Sequence, residues 1–271
     1  TLSPSSAASD VYKRQIRTHR GLILTEAGKS LYHDTKDIIQ YCRDSVNRAR
    51  NAMQKEESVI RIGTSPMTPG QFLMDMWSSI HEICPDIKFK LVPFENTPEN
   101  SIEILKNLGK NIDIVAGLFD DAFLKSRKCD GLLLSYEPIR CAVSIYNELS
   151  KKSELSVSDL YHRNFMIIHR GWNKCLDMMR DDLLQNHSQI NIVDFDMFTL
   201  NAFNQCENSD NMMICIDNWA NVHPLLKVLP VDWNYCIPFG LLHSPKPSPN
   251  VKRFLDAVRQ VKPVPECKPK N

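Results

Sequence analysis

An excess of charge of either sign is missing from this sequence. Its 271 residues hold 33 Lys or Arg and 32 Asp or Glu. The total charge therefore argues for no polyanionic partner, and any nucleic-acid contact must come from a local basic segment. Long apolar runs are missing too: none approaches the roughly 20 residues of a membrane helix, and the N-terminus has no apolar core of a secretory signal. This reads as a cytoplasmic chain; a mature exported form with its signal removed is the alternative. Enzyme motifs are also absent: no G-x-S-x-G, G-x-x-x-x-G-K, H-E-x-x-H or G-x-G-x-x-G occurs. The 8 histidines include no i, i+4 metal pair, and Asp120-Asp121 and Asp181-Asp182 read as solvated acids. No enzyme activity, cofactor or metal is expected.

Cysteine is plentiful but unpatterned. There are 9, an odd number, with no C-x-x-C pair, and most sit in apolar runs such as Met213-Ile214-Cys215-Ile216. Reduced, buried thiols are the reading, against a disulfide framework or a metal site.

Residues 1–15 are Ser/Ala-rich and aperiodic, and read as a foreign or disordered leader. Residues 16–24 are short and basic, with Gly21 and a Leu-Ile-Leu run suggesting a turn and strand. Thr25-Glu26-Ala27-Gly28 supplies a hydroxyl cap and a first-turn acid for a long helix over about 26–56. There Leu31, Thr35, Ile38, Cys42, Ser45, Ala49 and Ala52 recur at spacings of four and three, a seam suited to pairing with another helix. A helix lying on its own domain is the alternative.

From Val59 the texture changes to strands alternating with helices. Strands are read at 59–63, 87–92 and 112–117, with helices at about 69–83 (Phe72, Leu73, Met76, Trp77, Ile80) and 101–108. Residues 131–145, broken by Pro138, read as two strands crossing between subdomains. A second series follows: strands at 165–168, 190–193 and 212–216, and helices at 172–184 and 197–206. Two extended runs over 228–242 precede a Pro cluster and a closing helix at 251–261. The tail, 263–271, reads as loose. Such alternation predicts parallel pairing and βαβ crossovers. The body, 58–262, is thus expected as two α/β lobes, 58–138 plus 225–262 and 139–224. A ligand cleft is expected at the carboxyl ends of their strands.

The segment Arg17-x-x-Arg20-x-x-x-Leu24-Thr25-Glu26-Ala27-Gly28-x-x-Leu31 resembles the wing and linker-helix start of LysR-type transcriptional regulators. Ile60-Arg61-Ile62-Gly63, Cys84-Pro85-Asp86-Ile87 and Ile112-Asp113-Ile114 resemble the first three strand regions of their effector domain. The resemblance spans 16 to about 263. It implies a winged helix-turn-helix of which 16–24 is the remnant, a dimerising linker helix at 25–57, and a two-lobed periplasmic-binding-protein-like effector domain at 58–262. It also implies promoter DNA (for the full-length protein only), a small-molecule effector and a homodimer or homotetramer as partners. The base-reading helix is not in this sequence, so Arg17 and Arg20 are left as phosphate contacts and weak operator binding is expected. One departure lies at Glu207-Asn208-Ser209-Asp210-Asn211, where family members often carry a Gly-x-Gly turn.

Candidate ligand contacts are read from the residues themselves. Thr64-Ser65-Pro66-Met67-Thr68 leads into a helix N-terminus, whose free N–H groups and dipole favour an anion. Ser65 and Thr68 add hydroxyls or simply cap the helix, and Met67 stands between them. Asn96-Thr97 ends a strand and closes a wall, or forms a turn. His169-Arg170-Gly171-Trp172 opens a helix in the other lobe, with Arg170 as a carboxylate clamp and Trp172 as a stacking platform, or as a surface Arg and a core Trp. Asp217 of Asp217-Asn218-Trp219 is a further candidate. A small anionic effector is the expectation. A transporter's solute-binding protein and a small α/β enzyme are the rival readings; the long seam helix and the cysteines argue against the first.

Overall fold

The computed structural model describes residues 14–18, 21–53, 58–68 and 70–262. Residues 1–13, Arg20, the tail at 263–271 and the side chains of Arg17, Ala49, Ala52 and Phe72 lie outside that description. The chain divides into two compact units, Thr1–Lys55 and Glu56–Asn271.

In the first unit, β1 (Gln15–Thr18) and β2 (Gly21–Leu24) form an antiparallel hairpin, with Gln15 opposite Leu24. Gln15, expected in the leader, is therefore part of the fold, and Arg14 accepts the Thr25 N–H at 3.0 Å. Gly21 turns the hairpin at φ 126°, a conformation glycine adopts without a Cβ clash. Thr25 Oγ1 accepts the Gly28 N–H at 3.0 Å, the hydroxyl cap expected for α1 (Glu26–Met53, 28 residues). Leu31, Ile38 and Cys42 of the seam are exposed, while Thr35 turns its hydroxyl back onto the Leu31 carbonyl at 2.6 Å. No described helix is long and apolar enough to cross a membrane.

The second unit carries two five-stranded sheets. The first runs β4 (Lys88–Pro93), β3 (Val59–Thr64), β5 (Ile114–Leu118), β12 (Cys236–His243), β6 (Asp130–Pro138). Its first three strands are parallel and the last two pairings antiparallel. The helices of this lobe are α2 (Gln71–Ile83), α3 (Pro98–Lys106), α4 (Asp121–Arg127) and the closing α7 (Pro249–Val261). The second sheet runs β11 (Leu226–Leu229), β7 (Arg140–Ser144), β10 (Met212–Cys215), β8 (Asn164–Ile168), β9 (Asn191–Phe195), with α5 (Lys174–Asn186) and α6 (Leu200–Glu207).

The alternating pattern thus yields the two expected α/β lobes, and the break at Pro138 is where the chain passes from β6 in one sheet to β7 in the other. One boundary is corrected. Leu226–Leu229 pairs with β7 in the second sheet, so the return to the first lobe comes between β11 and β12 rather than near residue 225. The two crossings brace each other: the Ile139 N–H donates to the Tyr235 carbonyl at 2.9 Å, and Trp233 Nε1 donates to the Ile139 carbonyl at 2.8 Å. Helix α4 was not anticipated, because its seven residues carry no apolar repeat long enough to read.

The core follows from the strand composition. β10 is buried at all four positions and β8 at four of five, as continuous apolar strands covered on both faces must be. Gly240 marks a register shift where β12 crowds β6; a Cβ there would stand 2.0 Å from the Leu132 carbonyl oxygen. All eight described cysteines are free thiols: Cys84, Cys129, Cys141, Cys206 and Cys215 are buried, Cys42 is exposed, and Cys175 and Cys236 are partly covered.

Candidate functional site

Both parallel strand sets end on the same crevice between the lobes. Loops leaving β3, β4 and β5 form one wall, and loops leaving β8, β9 and β10 form the other. Among the described residues, three hydrogen bonds cross it. Trp219 Nε1 donates to the Met67 carbonyl at 2.9 Å, Asn96 Nδ2 to the Phe198 carbonyl at 2.8 Å, and the Lys174 N–H to Asp120 Oδ2 at 2.6 Å.

Between these bonds lies a cavity of about 580 Å³, counting its open mouth. Met67, Phe94, Ile104, Leu105 and Phe123 face it from the first lobe. Trp172, Met197, Phe198 and Trp219 face it from the second. The inner end is β-strand surface, Val115 to Leu118 with Leu242. Polar side chains are few: Thr68, Asn96 and Ser101, and the described lining holds no charged side chain. The aromatic rings interlock: Phe198 stands 4.5 Å from Trp219 and 5.5 Å, edge to face, from Trp172, which meets Phe123 edge-on at 5.8 Å. Edge-to-face packing of this kind holds each ring in one orientation.

Of the residues singled out in the sequence, Met67, Thr68, Asn96 and Trp172 are brought together around this cavity. Ser65 stands one bridge behind, its hydroxyl 2.9 Å from that of Thr68. The residue expected to cap α2 is neither of them: Gly70 occupies the cap position and no side chain bonds there. Thr97 caps α3, its hydroxyl accepting the Asn100 N–H at 3.2 Å, and is outside the lining.

The remaining candidates point elsewhere. Arg170 is exposed and pairs with Asp181. The pair holds the Asp181 carboxyl below, and the Arg170 guanidinium above, its ordinary range. The clamp expected at Arg170 is thus corrected: in the loop before α5 it forms a surface ion pair with Asp181 of that helix. His169 is exposed and its Nδ1 lies 3.0 Å from the Arg170 carbonyl. Gly171 turns the loop at φ 88°, and its N–H donates to the Asp177 carboxylate at 3.1 Å. Asp217 forms a bidentate pair with Arg140 at 3.0–3.2 Å; it is Trp219, two residues on, that lines the cavity.

Asp120, expected as a solvated acid, is instead bonded through both carboxylate oxygens. Its Oδ1 accepts the Phe123 N–H at 2.7 Å and caps α4. Its Oδ2 takes the first N–H of α5 across the crevice. One carboxylate therefore occupies the positive ends of two helices, α4 and α5. Beside it, Asn173 caps α5 by accepting the Cys175 N–H at 2.8 Å, and burial pushes the Cys175 thiol above its ordinary pKa. Nothing local signals Phe94, Phe123 or Phe198 as cavity residues: each reads as an ordinary core or loop aromatic until the lobes are set together.

No family model and no curated protein matches this sequence. Solved structures do match in shape. CbnR, a LysR family transcriptional regulator, superposes with a TM-score of 0.57 at 15% identity, covering 95% of this chain and 87% of CbnR. The effector binding domain of QuiR in complex with shikimate gives 0.56 at 14% identity, covering 76% and 98%. The regulatory domain of Synechocystis PCC6803 CcmR in complex with 2-PG gives 0.50 at 12%, covering 76% and 97%. At these identities the likeness establishes the fold alone: a two-lobed, periplasmic-binding-protein-like α/β unit preceded in the chain by a long helix.

Proposed function

We propose that this chain is the effector-sensing part of a LysR-type transcriptional regulator, and that a small molecule binds in the crevice between its lobes. Residues 58–262 are the effector domain, 25–57 the linker and dimerisation helix, and 16–24 part of a wing. The observation that carries this reading is the cavity itself: it lies at the carboxyl ends of both strand sets, the place where open α/β sheets receive ligands, and both lobes line it. Met67, Thr68, Asn96 and Trp172 are the proposed contacts, with Ser65 and Thr97 supporting them from behind. A ligand that prefers the closed arrangement biases the lobes through the crossing strands.

Promoter DNA is the proposed macromolecular partner of the full-length protein, with Arg17 and Arg20 on its phosphates, and a second copy is the proposed partner of α1. The exposure of Leu31, Ile38 and Cys42 along that helix supports a helix-paired dimer. A thermal-shift screen of small organic metabolites tests the reading. At least one compound is expected to raise the Tm and to change Trp172 and Trp219 fluorescence. Sedimentation of Ile38→Asp, expected to lose the dimer, tests the helix. A screen without a stabilising compound, together with a monomeric wild type, would defeat the proposal.

A further inference from the structure

The proposed site leaves open what class of molecule it receives, and the charges around it decide this against an anion. No charged side chain lines the described cavity, and three arginines of the second lobe are already engaged. Arg170 is paired with Asp181, Arg140 with Asp217, and the buried Arg180 with Asp194 and the carbonyls of Ile167 and Ile168. The α5 N-terminus, which would otherwise attract a carboxylate, holds Asp120. An entering anion would lose its water among Phe94, Phe123, Trp172, Phe198 and Trp219 with no charged side chain in the lining to replace it, and would meet the Asp120 charge beside Phe123. Burying an unpaired charge is strongly unfavourable.

What the cavity does offer is flat apolar surface and a small polar edge. Trp172, Phe198 and Trp219 present rings held at fixed angles. Thr68, Asn96 and Ser101 are neutral hydrogen-bonding groups on the first-lobe wall. We infer that the effector is an uncharged, ring-bearing molecule with one hydroxyl or carbonyl directed at Thr68, Asn96 and Ser101. This inference rests on the proposed effector site, and the test separates the two.

The test is displacement of the neutral fluorophore N-phenyl-1-naphthylamine from the full chain at neutral pH by matched pairs: 1-naphthol against 1-naphthoate, and indole against indole-3-carboxylate. The neutral member of each pair is expected to compete at a concentration lower by about tenfold or more. Gly117→Val is expected to abolish competition by both. Gly117 lies on the cavity wall, and a Cβ there meets the Leu242 side chain at an ordinary 3.6 Å. Ser101→Leu, on the helical wall, serves the same purpose if the strand variant misfolds. Carboxylates that bind as tightly as their neutral partners, and lose binding in these variants, overturn the inference while leaving the site in place. Binding indifferent to both variants overturns the site itself, and an absence of saturable binding by all four competitors overturns the inference with it.

Discussion

The indole N–H of Trp219 donates to the carbonyl of Met67 at 2.9 Å, joining residues 152 positions apart and two lobes whose strands lie in different sheets. Trp219 is buried and its ring also packs on Phe198. The bond therefore ties the aromatic wall to the loop that follows the first strand. Trp219→Phe keeps most of the ring and removes the donor, leaving a buried carbonyl without that partner. The expected loss is about 1–2 kcal/mol of unfolding free energy, read by urea denaturation. An unchanged midpoint would show that the crossing bond adds nothing to the closed form.

A second buried contact lies within the first lobe, between β3 and the start of β5. Arg61 clamps Asp113 through Nε at 2.9 Å and Nη2 at 2.6 Å, and its backbone N–H donates to the same carboxylate at 2.9 Å. Both side chains are largely buried, so removing one strands the other. Asp113→Ala is expected to cost about 3–5 kcal/mol, whereas Arg61→Met with Asp113→Leu together should recover most of it. Denaturant unfolding of the single and double variants checks this; equal losses would mean that strand packing, not the stranded charge, sets the cost.

Acid should weaken the fold through carboxylates held by arginine. The Arg253 guanidinium, helped by the Ser58 hydroxyl, keeps the Asp86 carboxyl far below its ordinary value of 3.8. A depressed folded-state pKa means that the unfolded chain takes up the proton first as the pH falls. The contribution is present above the ordinary carboxylate range and is lost below it, down through the folded value. Asp86→Asn is accordingly expected to be less stable than wild type near neutrality and to show a shallower fall in Tm from about pH 4 to about pH 2. Parallel curves would rule out this pair as a source of acid sensitivity.

The thiols should divide by burial. Burial pushes the Cys206 thiol up to about 12 and the Cys129 thiol up to about 11, and raises Cys141 and Cys215 in the same direction. Because the thiolate is the reacting form, iodoacetamide at neutral pH is expected to label the exposed Cys42 and to leave Cys141, Cys206 and Cys215 unlabelled until the chain unfolds. Peptide mass mapping before and after denaturant reads this directly. Native labelling of Cys206 would indicate that the second lobe opens.

Much of this protein is settled by local chemistry. Strand and helix alternation from Val59 onward, the crossing at Pro138, the Thr25 cap and the apolar surroundings of Cys141, Cys206 and Cys215 are written in neighbouring residues. Periodicity and capping act over one or two turns of chain. The content of the crevice is not of that kind. Arg170 turns away because α5 carries Asp181 within its reach. Asp120 becomes a bridge because the packing of the lobes sets the first N–H of α5 against it, 54 residues along the chain. Sequence determined that there are two α/β lobes and where their strands end. Only the tertiary structure decided that an internal carboxylate, Asp120, fills the start of α5, because such pairings depend on which distant surfaces meet.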